Sequence, residues 1–248
     1  MSGHSKWATI KHKKGALDAK RGKLFAKIAR QLEVAARVGG GDPSSNATLR
    51  TIVLKAKSAQ MTNDAIDRAI KRGTGENDGG TYEAITYEGY APGGVGILID
   101  VLTDNRNRSG SEVRTIFSKL GGAMAEPGAV GWQFSRRGVV QVSRKVAEDD
   151  VMMVALEAGA DDISDQGESW QVLCDASSLH DVKAAIEGAG LDVLSAESTM
   201  LAANTIPVTD VEDARKILRI IDALEDNDDV QDVYSNFDIA DDILASID

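Results

Sequence analysis

Apolar residues in the first part of the chain recur at helical spacing. Between Ala16 and Val38 they lie three, four or seven positions apart and form one face, consisting of Leu17, Leu24, Ile28, Leu32 and Ala35. The three glycines 39–41 end this pattern, because glycine is a poor helix residue and a frequent helix stop. The spacing therefore predicts an amphipathic helix over 16–38.

Two shorter helices are predicted next. Asp42-Pro43 or Ser45 begins one that runs to about Gln60, with Leu49, Ile52, Val53 and Ala56 inward. Thr62 or Asn63 caps another, which Gly73 closes. The stretch 74–80 is rich in Gly, Asn and Asp and predicts a linker and hinge between domains.

Beyond the linker the periodicity changes to that of strands. Alternation in Tyr82–Tyr90 and a β-branched run in Val95–Leu102 predict a hairpin around Pro92-Gly93-Gly94, followed by a helix over Ser109–Leu120. Between 138 and 201 the predicted order is β, α, β, β, α, β, which is typical of a ferredoxin-like unit. A helix at Val211–Leu224 and a strand at Val230–Phe237 can complete the earlier hairpin set.

These elements predict a multidomain α+β protein. Residues 1–75 form a basic helical domain, residues 80–135 and 205–240 form a discontinuous α+β domain, and residues 136–204 form an inserted ferredoxin-like domain. A chain of 248 residues is long enough for three such cores.

Composition narrows the cellular setting. No apolar run reaches the roughly 18 residues that span a bilayer, and the polar start is unlike a secretory signal. The single cysteine, Cys174, cannot form an internal disulfide, which fits a reducing compartment, and we expect it to be a buried strand residue. These observations predict a cytoplasmic protein with no membrane partner.

Charge is segregated along the chain. Residues 1–72 carry 16 Lys and Arg against 5 Asp and Glu, whereas residues 73–248 carry 12 against 34, although the whole chain has a net charge of −11. A basic module joined to an acidic body indicates a polyanionic partner for the basic part.

The cations of the first helix fall on one stripe. On a helical wheel Lys20, Lys23, Lys27, Arg30 and Arg37 share an edge roughly 140° from the apolar face, with Arg21 off the stripe. The preceding arm adds more cations and one aromatic residue, giving the candidate nucleic-acid-binding set Lys6, Trp7, Lys11, His12, Lys13, Lys14, Lys20, Arg21, Lys23, Lys27 and Arg30. This arrangement favours binding to a phosphate backbone, because neutralising the phosphates releases condensed counterions. The alternative is a solvated basic face.

Two features of the sequence each allow two interpretations. Trp7 either stacks on a base or anchors the arm on its own bundle. The run Asn105-Arg106-Asn107-Arg108 either makes a second polyanion contact or, as we favour, is a loop whose Asn and Ser109 side chains cap the next helix.

The sequence offers no constellation for catalysis or metal binding. His4, His12 and His180 lack partners at metal-ligand or nucleophile spacing, and 93–96 lacks the Lys-Ser/Thr of a P-loop. The acidic run 225–229 lacks the glycine of a calcium loop and is interpreted as a helix end and turn. We expect a protein that is not an enzyme and needs no cofactor or metal.

The chain resembles the YebC/PmpR family. The resemblance begins with Gly-His-Ser-Lys-Trp-Ala-Thr-Ile-Lys-His-Lys-Lys at 3–14 and Asp-Ala-Lys-Arg-Gly-Lys-Leu-Phe-Ala-Lys at 18–27. It continues through Asn46, Leu49-Arg50, the segment 65–73, Tyr87-Glu88-Gly89-Tyr90 and Leu102-Thr103-Asp104-Asn105-Arg106-Asn107-Arg108. One departure is Thr62, where the family usually has proline; threonine is a good N-cap, so no functional consequence is expected.

The resemblance implies the YebC-like fold, an N-terminal three-helix domain followed by two interlocked ferredoxin-like domains. Its members have been described as DNA-binding transcriptional regulators, and others resemble ribosome-associated translation factors, including a mitochondrial translational activator and bacterial proteins linked to stalling on proline-rich stretches. DNA and ribosomal RNA therefore both remain as partners, and the oligomeric state stays undetermined. A non-catalytic protein-interaction scaffold is the alternative from another class.

The residues themselves favour RNA. A major-groove reader places Asn, Gln or Arg on a recognition helix, usually in a symmetric dimer. The cationic stripe here is mostly lysine, which positions a nucleic acid without specifying its sequence. No helix-turn-helix or zipper pattern is evident.

Overall fold

The computed structural model describes residues 17–75 and 81–247. The first segment is a three-helix bundle whose members are α1 (Leu17–Gly39), α2 (Ala47–Ser58) and α3 (Asn63–Gly73). Its core is aliphatic, with Ile28, Leu32, Leu49 and Ile66 buried. Leu24, which the sequence places on the same apolar face, is 43% exposed, so the prediction that it faces the core is wrong.

Two buried polar side chains, Asn46 and Glu33, link the helices of this bundle. Asn46 caps α2 by accepting from the Leu49 N–H, and its amide donates to the carbonyls of Ala35 and Gly40 at 2.9 Å each. The buried carboxylate of Glu33 pairs with Arg37 and with Arg72, at 3.2 Å each. Because α1 carries Glu33 and α3 carries Arg72, the second pair ties these helices together.

The first sheet has four strands in the order β3-β1-β2-β9. The strands are β1 (Glu83–Tyr90), β2 (Gly96–Thr103), β3 (Ala123–Ala125) and β9 (Val230–Ser235). Two helices cover one face, namely α4 (Arg106–Leu120) and α7 (Val211–Glu225). Phe117, Ile217 and Ile221 are fully buried in the core between helices and sheet.

The second sheet has the order β5-β6-β4-β7. Its elements are β4 (Phe134–Ser143), α5 (Glu148–Glu157), β5 (Ala160–Asp165), β6 (Ser169–Asp175), α6 (Leu179–Gly188) and β7 (Val193–Ala202). This is the predicted ferredoxin-like sequence of elements, and all neighbouring strands are antiparallel. Cys174 is fully buried in β6, as predicted.

Both sheets follow one plan. In each, a strand leads through a helix to an edge strand two places away, as in β2–α4–β3 and β4–α5–β5. In the first sheet β1, which comes earliest in the chain, occupies the place that β6 holds in the second. The first sheet therefore has the strand arrangement of the ferredoxin-like plan with the third strand moved to the start of the chain, and α7 and β9 complete it after the second sheet. We propose on this basis the three-part division of residues 1–75, 80–135 with 205–240, and 136–204.

Three short elements complete the body. They are β8 (Ile206–Val208), β10 (Phe237–Ile239), which pairs with β8 in parallel, and α8 (Asp241–Ile247). A smaller apolar cluster of Leu98, Val130, Phe134 and Tyr234 covers the other face of the first sheet, against Met200 and Ala202 of β7. The chain thus enters and leaves the second sheet through one packed junction.

The loop before β4 is held by a buried carboxylate. Glu88 of β1 is 8% exposed and accepts backbone N–H groups from Gly128, Val130 and Gly131. Burial acts to raise the pKa of Glu88, but these three hydrogen bonds together lower it below its usual value. Trp132, at the end of the loop, is 75% exposed.

Candidate nucleic-acid interface

Three cations of the basic stripe of α1, namely Lys23, Lys27 and Arg30, contact the acidic run 225–229 between α7 and β9. We call this run the acidic loop. Lys23 Nζ donates to the Asp226 carboxylate at 2.6 Å and to its carbonyl at 3.1 Å. One turn further, Lys27 Nζ donates to the Glu225 carbonyl at 2.6 Å. The Asp226 hydrogen bond raises the pKa of Lys23, so this side chain is firmly cationic.

Arg30 continues the contact more deeply. Its Nη1 donates to the carbonyls of Leu102 and Asp228 at 2.9 and 3.0 Å, and to Oδ1 of Asp229 at 2.9 Å. The guanidinium lies 5.0 Å from the ring centroid of Tyr82, within cation–π range. Arg30 thus links the helical domain to the first sheet.

Asp229 is the centre of a buried polar cluster. Only 6% of its side chain is exposed, and while Oδ1 meets Arg30, Oδ2 lies 2.7 Å from Arg108, 2.7 Å from the Ser109 hydroxyl and 3.0 Å from that of Thr103. Burial acts to raise the pKa of Asp229, but hydrogen bonds from Arg108, Ser109 and Thr103 outweigh it and lower the pKa. The carboxylate stays ionised and links α1, β2 and α4.

The run 105–108 belongs to this cluster and to a helix start. Asn105 caps α4 by accepting the Arg108 N–H, which confirms the capping interpretation for this residue. Arg108 pairs with Asp104 at 2.8 Å as well as with Asp229, and Arg106 pairs with Glu83 at 3.3 Å. The Ser109 hydroxyl does not cap the helix N-terminus; it lies in the Asp229 cluster.

The predicted site residues divide into groups. Lys6, Trp7, Lys11, His12, Lys13 and Lys14 lie outside the described residues, and Lys20 lies in the first turn of α1 with its side chain outside the described part. Arg21 is exposed, donates to Gln60 at 2.9 Å and lies over the Phe25 ring. Lys23, Lys27 and Arg30 bind the acidic loop and its surroundings. A second segment of the same chain already supplies oxygen partners to these three residues, and their binding of nucleic acid stays a prediction.

Sequence reasoning also missed exposed cations on the other two helices. Arg50, Lys55 and Lys57 of α2, and Arg68 and Lys71 of α3, are all exposed. Lys57 and Lys71 line one shallow groove together with Pro43, Ile66 and Ile70. The charge count of residues 1–72 could have indicated these cations, because the α1 stripe and the arm account for only part of its 16 Lys and Arg residues.

Other kinds of site are not evident in the described ranges. No group of three or more His, Cys, Asp or Glu residues there could hold a metal ion. Within the same ranges, no helix is long and apolar enough to cross a membrane.

The chain belongs to the TACO1/YebC family. The model of the family's N-terminal domain matches residues 5–76, and that of its second and third domains matches residues 82–237. The chain is 55% identical over 251 residues to a protein of Beutenbergia cavernae, covering 100% of this chain and 99% of the relative, which is named a probable transcriptional regulatory protein. A relative of the same name from Mycolicibacterium smegmatis is 53% identical over 250 residues, with the same coverage.

A solved structure has the same fold. It is a conserved hypothetical protein from Aquifex aeolicus, 43% identical, with a TM-score of 0.83, covering 96% of this chain and 99% of that one. The predicted α+β class and the family resemblance are thus confirmed.

Proposed function

We propose that this chain is a cytoplasmic nucleic-acid-binding regulator of gene expression that grips phosphates with its basic N-terminal part. The observation that carries the proposal is the charge segregation, with 16 cations against 5 anions in residues 1–72 beside an acidic remainder. The names of the relatives, which refer to transcriptional regulation, are consistent with control of gene expression.

The geometry favours folded RNA, such as ribosomal RNA, over duplex DNA. A recognition helix must lie along the major groove with its length accessible. The middle of α1 is covered, because Lys23, Lys27 and Arg30 contact residues 225–229. The candidate cations that precede α1 in the sequence are all lysines, which contact phosphate without reading bases. Arg50, Lys57 and Lys71 add exposed cations on α2 and α3.

The test compares nucleic acids and charge-reversed variants. Fluorescence anisotropy of the full chain is measured against a labelled RNA hairpin and a DNA duplex of equal length, between 50 and 200 mM salt. We expect tighter binding to the hairpin, with affinity falling steeply as salt rises, since a footprint of about five phosphates gives a log–log slope near −4.

The decisive variant reverses Lys11, Lys13 and Lys14 to Glu, and the matched control reverses Lys119, Lys145 and Lys183 of the body. We expect affinity to fall at least about tenfold in the first and less than about twofold in the second, since the control residues lie outside the basic part that is proposed to contact phosphates. Equal losses in both would contradict the assignment of the arm. Tighter binding to the duplex would restore the DNA-binding alternative.

Crosslinking in cells then identifies the target. Ultraviolet crosslinking followed by sequencing should give reads concentrated on ribosomal RNA that the arm reversals abolish. If the folded arm variant retains full activity in cells, the protein acts instead as a protein-interaction scaffold.

A further inference from the structure

We propose that the acidic loop is an internal competitor for the phosphates that α1 binds, so that Lys23 and Lys27 contact either the loop or a nucleic acid. The inference rests on the proposed function and adds a regulation of the same surface. The acidic loop occupies part of the basic edge of α1 until a polyanion displaces it.

The loop presents the chemistry of a phosphate backbone. Lys23 meets one carboxylate oxygen and one carbonyl oxygen of Asp226, and Lys27 meets the carbonyl oxygen of Glu225. The two lysines are four positions apart on α1, about 6 Å along the helix axis, so they lie on one edge. The same ammonium groups would contact successive phosphate oxygens of a nucleic acid lying along this edge.

The contact is graded from its rim to its centre. At the rim the Lys23 side chain is 42% exposed and that of Asp226 is 70% exposed, and such pairs contribute little and are screened by salt. At the centre Asp229 is only 6% exposed and also holds Arg108, Ser109 and Thr103. The rim can therefore exchange partners while the Arg30–Asp229 pair keeps α1 attached to the body.

A charge-neutralised loop tests the competition. The variant replaces Asp226 and Asp228 by Asn, and Asp229 is left intact because its carboxylate supports the buried cluster. The control replaces the exposed Asp162 and Asp192, both in the second sheet domain, by Asn, which makes the same change in net charge. The probe is the labelled RNA hairpin at 0.15 M salt, where the Debye length is about 8 Å.

We expect the loop variant to bind the hairpin about three- to tenfold more tightly than the wild type, because more of the protein is in the binding-competent state. The control should change by less than about twofold. The gain should disappear when Lys23 and Lys27 are also replaced by Ala, because the loop then has neither lysine to occupy. A double-mutant cycle of the loop and lysine substitutions measures this coupling.

Other outcomes overturn the proposal in distinguishable ways. An equal gain in the loop variant and the control, or a gain that persists without Lys23 and Lys27, would show general electrostatics rather than competition, and the proposed function would stand. No binding of the hairpin or the duplex by the wild type and by every variant would overturn the competition and the proposed function together.

Discussion

At the scale of single residues, buried carboxylates organise this protein where apolar contacts cannot. The charge of Glu88 is held by three backbone N–H groups of the loop 128–131. Such charge-assisted bonds are shorter and stronger than neutral ones. The carboxylate thereby satisfies N–H groups that the turn would otherwise leave unpaired beside the apolar cluster of Val130 and Phe134.

Replacing Glu88 by Gln should loosen this loop. The amide keeps the shape but removes the charge and presents an NH₂ group towards backbone donors, at a cost of about 1–3 kcal/mol. We expect amide hydrogen exchange of Gly128, Val130 and Gly131 to speed up about 10- to 100-fold at pH 7. The matched control is Glu126→Gln, an exposed residue of the same loop, which should change exchange less than about twofold.

The effect should depend on pH in a defined direction. The folded-state pKa of Glu88 lies below its ordinary value of 4.5, so its contribution is fully present above about pH 4.5 and is lost as pH falls through the lower folded value. The stability difference between wild type and Glu88→Gln should therefore narrow in acid, as measured by urea unfolding at pH 7 and pH 3.5. A constant difference would show that the charge plays no part.

The residues of α1 show what a local pattern can and cannot predict. Helical spacing correctly placed Lys23, Lys27 and Arg30 on the polar edge, because amphipathicity separates the two faces of a helix. It could not name their partners, since the acidic loop lies about 200 positions further along the chain. The acidic run was visible in the sequence, but only the fold brings the two segments together.

At the scale of elements, long periodic segments were predictable and short ones were not. The bounds of α1, α3, β1 and α7 lie within one or two residues of their predicted ends. The missed elements, β3, β8, β10 and α8, have three to seven residues, too few for a period to appear. The three short strands pair with neighbouring strands, as β8 does with β10. Helix α4 begins three residues earlier than predicted, because Asn105 rather than a later residue caps it.

Two helical glycines in the bundle should respond oppositely to alanine. A Cβ at Gly73 would lie 2.2 Å from the Glu33 carbonyl oxygen and 2.8 Å from the Ala36 Cβ, whereas at Gly22 it would meet nothing within 4 Å. Gly73, which the sequence predicts as a helix stop, therefore also allows α3 to approach α1 closely. The left-handed backbone that follows the helix is at Gly75, whose φ is 86°.

We expect Gly73→Ala to lower the stability of the helical domain by about 1–3 kcal/mol, because the clash is with backbone that cannot rotate away. Gly22→Ala should raise it by about 0.5–1 kcal/mol, because alanine loses less backbone entropy in an exposed helix. Thermal unfolding followed at 222 nm measures both changes. A stabilising Gly73→Ala would mean that α1 and α3 can separate freely.

At the scale of the whole molecule, the second sheet is inserted into the first through one pair of adjacent strands. Phe134 is opposite Ala202 and Arg136 is opposite Met200 in the β4–β7 ladder, so the entry and exit of the insertion are neighbours in space. The two sheets also have separate apolar cores, one centred on Ile217 and Ile221 and the other on Val140 and Val172. We therefore propose that the boundary between the two α+β units lies where the chain enters and leaves this ladder.

Removing the insertion should leave the rest folded. Replacing residues 137–199 by Asn-Gly joins Arg136 to Met200 through a two-residue hairpin turn that matches strand twist. The junction cluster with Phe134 and Tyr234 is retained, so we expect a cooperative unfolding transition within about 5 °C of that of the first sheet in the full chain. The complementary piece, residues 134–202, should fold alone because its helices α5 and α6 cover its own sheet. If the shortened chain unfolds without cooperativity while the complementary piece folds, the first sheet depends on contacts with β7, such as those to β9, and the two α+β units are one domain.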